Sequence, residues 1–136
     1  MKIEIENMKK DAPPESFGVF KPVGHVVMAF AALEDQQAAA RALKEAGFVD
    51  EDVLHYSADE MKAQVDHDMA NAGMLSSLGQ DLNLAKAHRQ LAEQGHSWIV
   101  VFSPMTELTD RVTTVARRCN AALAQKYGQM VIEELI

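Results

Sequence analysis

The residues in this 136-residue chain best suited to chemistry are its five histidines, His25, His55, His67, His88 and His96. Imidazole titrates near neutral pH and ligates metals, so its spacing is tested first. None stands in a His-Glu-x-x-His or comparable zinc spacing. Asp66-His67-Asp68, with Asp81 and His88 seven residues apart on one helix face, is the nearest thing to a metal cluster. Solvated helix charge accounts for that run without an ion, so neither a metal nor another cofactor is expected. For general acid–base work the best-placed histidine is His55, which falls within a predicted strand, with His96 opening another.

Other reactive groups give weaker signals. Cys119 follows Arg117-Arg118, which would favour its thiolate, but it falls on an apolar helical stripe where cysteine is a small buried hydrophobe. As the only cysteine it forms no internal disulfide. Met69 and Met74 flank a glycine break and could line a groove. There is no Gly-x-Ser-x-Gly elbow, no Walker loop and no dinucleotide-binding glycine pattern. No catalytic residue is assigned, and the balance leans away from an enzyme.

Charge narrows the partners. The net charge is −7, and its excess lies in residues 34–95, which hold twelve acids against five bases. Phosphate neutralisation by Lys and Arg supplies most nucleic-acid affinity, and this chain offers the opposite sign. Neither nucleic acid nor an anionic membrane surface is expected as a partner. The N-terminus lacks the apolar stretch of a secretory signal, and the longest apolar run, residues 26–33, is too short for a bilayer. The cytoplasm is the expected compartment.

The elements that position these groups follow from periodicity. Residues 1–24 read as an N-terminal arm with Pro13-Pro14, in which Ile3 and Ile5 alternate with glutamates. His25 to Ala31 reads as a strand, Asp35 to Ala46 as a helix stopped by Gly47, and Val53 to Tyr56 as a second strand. Ser57 with Glu60 three residues on forms a capping box that opens a helix with Met61, Val65, Met69 and Ala72 on its stripe. A break at 73–79, a helix over 81–94 ended by Gly95, and a strand from His96 to Phe102 follow. A helix from Thr106 to Ala124, with Leu123 on its inner face, and a strand from Gln129 to Leu135 complete the domain.

This order predicts an α+β domain over residues 25–136, a ferredoxin-like split βαβ duplication with a four-stranded antiparallel sheet. A two-helix insertion over residues 57–94 separates its second and third strands. In the first strand Val26, Met28 and Phe30 oppose Val27 and Ala29; in the third Trp98, Val100 and Phe102 oppose Ile99 and Val101. Both faces of both strands are apolar, so both must be covered. The crossover helices cover one face, and either the insertion or a second subunit covers the other. A homo-oligomer, with a dimer favoured, is the expectation. His25 and His96 would lie at opposite ends of the sheet, because the strands they open run in opposite directions.

Val26–Phe30, an alanine-rich helix ending in Ala46-Gly47-Phe48, and Asp50–Val53 resemble the opening of bacterial general stress proteins of the heat-induced type. Glu93-Gln94-Gly95 before an apolar strand, and Lys126-Tyr127-Gly128 before the last one, are similar to that family's second half. The resemblance spans about residues 25–135 and implies a small cytoplasmic ferredoxin-like protein of the stress response, with no catalytic residues to carry over. Three functions fit these readings: a non-catalytic stress or regulatory protein acting through self-association and partner contact, a small-molecule sensing module, and a small enzyme using sheet histidines. A cleft between the sheet and the acidic insertion would favour a cationic or neutral ligand.

Overall fold

The central constraint is visible in the pairing of two strands, β3 (His25–Phe30) and β5 (Ser97–Phe102), whose side chains are buried on both faces. They pair antiparallel with His25 opposite Phe102 and Phe30 opposite Ser97. Around them β4 (Val53–Tyr56), β6 (Leu123–Tyr127) and β7 (Ile132–Glu134) complete an open antiparallel sheet in the order β4-β5-β3-β6-β7. A short hairpin, β1 (Glu15–Ser16) and β2 (Val19–Phe20), stands apart from it, with β2 against the first helix of the insertion. The computed structural model describes residues 7–9, 15–16, 19–20, 22–72, 79–128 and 131–136. Ile3, Ile5 and Met74 lie outside the described residues.

Among the described residues four helices cover the sheet: α1 (Leu33–Glu45), α2 (Ala58–Ala72), α3 (Gly79–Glu93) and α4 (Thr106–Arg118). Strand alternation assigns them to faces. Val26, Met28, Phe30, Ile99 and Val101 point to one face, where Ala39 and Leu43 of α1 and Val112, Val115 and Ala116 of α4 meet them. Val27, Ala29, Trp98 and Val100 point to the other, against Met61 and Val65 of α2 and Ala85 and Ala92 of α3. The insertion therefore covers the second apolar face. None of the described helices is long and apolar enough to cross a membrane.

The chain makes two clean stops by the same device. At the end of α1 the Gly47 N–H bonds the Lys44 carbonyl and the Phe48 N–H bonds the Leu43 carbonyl. At the end of α3 the Gly95 and His96 N–H groups bond Ala92 and Leu91 in the same pattern. Both glycines sit at positive φ, +102° and +85°, where a side chain would be strained.

One expectation is corrected. Among the described residues the sheet has five strands, not four, because the predicted helix over 106–124 ends at Arg118. Asn120 takes φ 58° and the Ala121 N–H closes on the Ala116 carbonyl, a left-handed stop that asparagine tolerates. Leu123 then belongs to β6 and packs on the α2–α3 face. The last strand shortens to Ile132–Glu134 and pairs with β6 at the edge.

The α2–α3 face holds a buried polar chain. The Trp98 indole N–H donates to His88 Nδ1 (3.0 Å), and His88 Nε2 lies 3.1 Å from Gln125 Oε1. Gln125 Nε2 donates to Glu134 Oε1 (2.9 Å). An indole only donates, so His88 is neutral with its proton on Nε2. Burial pushes its pKa down to about 4, partly opposed by the bond to Gln125. Below pH 6.5 the unfolded chain takes up a proton that folded His88 refuses, so its stability contribution is complete above that pH and is lost as pH falls toward 4. The loss amounts to at most about 3 kcal/mol. Urea titrations at pH 7 and pH 4.5 should show this decline in the parent chain and a flatter profile in His88→Gln. His25, also held below its ordinary pKa by burial, shares the sign and keeps the variant from being level. Parallel profiles would refute the assignment.

Candidate ligand-binding cleft

The two ends of the sheet differ in how their polar groups are satisfied. At the end marked by His25 the network is closed. The imidazole bonds the Val23 carbonyl through Nδ1 (3.0 Å) and accepts the Met8 N–H at Nε2 (3.1 Å). Asn7 donates to Asp52 (2.6 Å), which fastens this part of the arm to the turn before β4. The Ser103 and Thr109 hydroxyls meet at 2.7 Å, and Lys126 donates to Thr109 Oγ1 (3.0 Å) and to the Ser103 carbonyl. Desolvation holds Lys126 below the usual lysine range, with the nearby Glu133 pulling it back up. With its polar groups partnered, this end ties β3, β5, β6 and α4 together.

The opposite end is open. Here the carboxyl ends of β3 and β4 flank the amino end of β5, since Phe30 and Ser97 are cross-strand partners, as are Tyr56 and Trp98. α1 leaves β3 for one face of the sheet and α2 leaves β4 for the other. Helices that diverge to opposite faces leave a crevice outside the strand ends. A cleft of about 450 Å³ occupies that place, lined by Leu33 and Gln36 of α1, His55 and Tyr56 of β4, the start of α2, and Gly95–Ser97.

Local sequence builds each wall. The α2 wall is set by the capping box: the Ser57 N–H donates to Glu60 Oε1 and the Glu60 N–H to Ser57 Oγ, both at 3.1 Å. The glycine stop of α3 delivers His96 to the mouth of β5. The α1 wall is pinned by Gln36, whose buried amide donates to the Trp98 carbonyl at 2.9 Å. α1 itself begins after Ala32, which has no side chain to cap its first turn.

The chemistry of the cleft lies in its floor. His96 and Ser97 are each only 8% exposed, yet His96 Nδ1 and Ser97 Oγ have no hydrogen-bond partner. A buried polar atom without a partner carries a desolvation penalty of about 1–3 kcal/mol, so each needs an explanation. Tyr56 is buried beside them and its phenol is pushed up to about 12 by desolvation, with Glu60's charge adding to it. It is therefore neutral at physiological pH. His55 is exposed and also borders a smaller cavity of about 190 Å³, with Lys44 and Phe48.

The structure brings together some of the residues singled out above and separates others. His55 and His96 share the cleft, whereas His25 is at the far end, as the strand directions require. His88 is buried against Trp98 and does not join the acidic residues of α2. Asp66 instead forms an ion pair with Arg89 of α3. Among the described residues no three His, Cys, Asp or Glu side chains form a metal-holding group. Cys119 is partly buried at the end of α4. Ser97, Gln36 and Tyr56 were not singled out from sequence. Only Gln36 leaves a trace there, a polar residue in line with the apolar face of its helix.

Compared with family models, curated proteins and solved structures, the chain matches none significantly. Ser97→Ala removes a buried hydroxyl for which the chain provides no hydrogen-bond partner. It should leave stability unchanged or raise it by about 1 kcal/mol, measured by chemical denaturation. A loss greater than about 1 kcal/mol would mean that the hydroxyl has a partner.

Proposed function

We propose that this chain is a non-catalytic small-molecule-binding module whose ligand sits in the cleft between α1, α2 and the start of β5. One observation carries the reading: the crevice formed where α1 and α2 diverge is floored by two buried polar atoms that lack partners. Concave clefts with a few convergent polar groups are where proteins take small ligands. Reading the domain as ferredoxin-like supports the same placement. β5 lies between β4 and β3, the arrangement of a split βαβ unit, with α2 and α3 inserted and β7 added at the far edge. The resemblance to heat-induced general stress proteins fits a sensing role in the cytoplasm.

Regulation through self-association has less support, because the apolar face that would call for a second subunit is covered by α2 and α3. Catalysis has less still. His55 and His96 line the cleft, but the sequence carries no nucleophile elbow or comparable catalytic motif.

The test is native mass spectrometry of the untagged protein, purified gently from the cells that make it. The expected result is a retained small mass, lost on unfolding and accompanied by a rise in melting temperature when the released compound is added back. Bare chain masses, monomeric or oligomeric, together with no melting shift across a broad metabolite panel, would overturn the proposal.

A further inference from the structure

The end of the sheet opposite the cleft carries a device of its own. We infer that Asn7 and Met8 form a proton-sensitive latch on His25, docked while the imidazole is neutral and released when it is protonated. This inference is independent of the binding reading above.

The docked state is a matter of donors and acceptors. Met8 is 5% exposed and belongs to the apolar cluster of the α2–α3 face, so a piece of the arm completes that core. Its backbone N–H donates to His25 Nε2 at 3.1 Å. A backbone N–H only donates, so Nε2 presents its lone pair to Met8. The ring proton therefore sits on Nδ1, toward the Val23 carbonyl at 3.0 Å. Asn7 Oδ1 lies 3.4 Å from the same Nε2, while its Nδ2 donates to Asp52 Oδ1 (2.6 Å) and to the Glu51 carbonyl (3.3 Å).

Proton uptake inverts this contact. Both nitrogens of an imidazolium donate, so Nε2–H would meet the Met8 N–H head-on. Nδ1 keeps the Val23 carbonyl, and Asn7 Oδ1 becomes the nearest acceptor for the new N–H. The Met8 N–H is then left without its acceptor in an apolar setting, and water outside offers the replacement. The ring is 1% exposed and packs on Phe102 with centroids 5.1 Å apart, so the arm is the part that yields. Release uncovers the socket of Met8 and the turn over Asp50–Asp52 that Asn7 fastens.

The groups around the ring set the sign. Burial holds the imidazole below its ordinary pKa of 6.5. The Val23 and Pro22 carbonyls and the Asp52 charge pull it back up, and the Lys126 ammonium on β6 pushes it down. Release returns the ring to water and raises its proton affinity toward the ordinary value. Docking is therefore complete above pH 6.5 and weakens as the pH falls below it. One proton changes the ratio of docked to released chain by at most about tenfold per pH unit.

The experiment uses the full chain with carbon-13 in the methionine methyl groups, titrated from about pH 8 to about pH 4.5 by NMR. The His25 ring signal is followed in parallel, and Met8→Leu assigns the Met8 methyl. That methyl should move toward the position of a solvent-exposed methionine as pH falls, with the midpoint of the His25 ring. Met28 and Met61, 0% and 2% exposed, should keep their native shifts, which separates release from unfolding. His25→Gln offers a neutral amide oxygen near the position of Nε2 and takes up no proton. Its Met8 methyl should stay buried, with about tenfold less release than the parent at the acid end. A Met8 methyl that stays in place while the His25 ring titrates would overturn the latch. So would a ring that never titrates in this range, equal release in His25→Gln, or loss of all three methyls together. Should His25→Gln fail to fold, the shared midpoint in the parent chain decides by itself.

Discussion

The rest of the structure depends on the antiparallel pair of β3 and β5. Every side chain of β3 is buried and five of the six on β5 are, so neither face of the pair tolerates water. Trp98 and Phe30, both fully buried, point to opposite faces, so neither face can be left uncovered without exposing a large side chain. Truncating either to alanine would cost on the order of 3–5 kcal/mol in a packed core. Short connections carry α1 to one face and α2 to the other. The requirement for two cover layers thus generates the split between two helix starts, and that split is the cleft. The candidate site is a by-product of how the core is sealed.

The two ends of the sheet show what that seal does with polar groups. At the His25 end, imidazole, hydroxyls and the Lys126 ammonium all find partners, and the arm contributes Asn7 and Met8. Low local dielectric makes such a network stiff when complete and costly when incomplete. At the His96 end the same chain leaves Nδ1 and Oγ without partners in a wall that Gln36 and the capping box otherwise hold firmly. Folding alone gains nothing from that arrangement. On the binding reading proposed above, a ligand would supply the missing bonds.

Between the two ends, the chain Trp98–His88–Gln125–Glu134 fixes α3 to three strands across the second face. It explains why the insertion, whose helices are only weakly amphipathic in sequence, docks in one orientation. Van der Waals packing of Met61, Val65, Ala85 and Ala92 would allow neighbouring registers; a directional bond to the single indole does not. The Asp66–Arg89 pair between α2 and α3 is half-exposed and adds little by comparison.

The sequence by itself determined the local choices. Period-two apolar runs marked β3 and β5 and showed that both faces needed cover. Gly47 and Gly95 fixed helix stops, and Ser57 with Glu60 fixed a helix start, because each satisfies backbone groups within a few residues of itself. It failed where a local stop was written in a less emphatic residue: Asn120 ends α4, and Leu123 continues the helical spacing only by coincidence, so β6 was hidden. Tertiary structure alone decided which layer covers the second face, since α2–α3 and a second subunit satisfy the same apolar demand. It also decided the site. Gln36, Tyr56, His96 and Ser97 are up to 61 residues apart and meet only through strand register and helix divergence. Whether a buried hydroxyl has a partner is a property of its neighbours in space, which spacing along the chain does not encode.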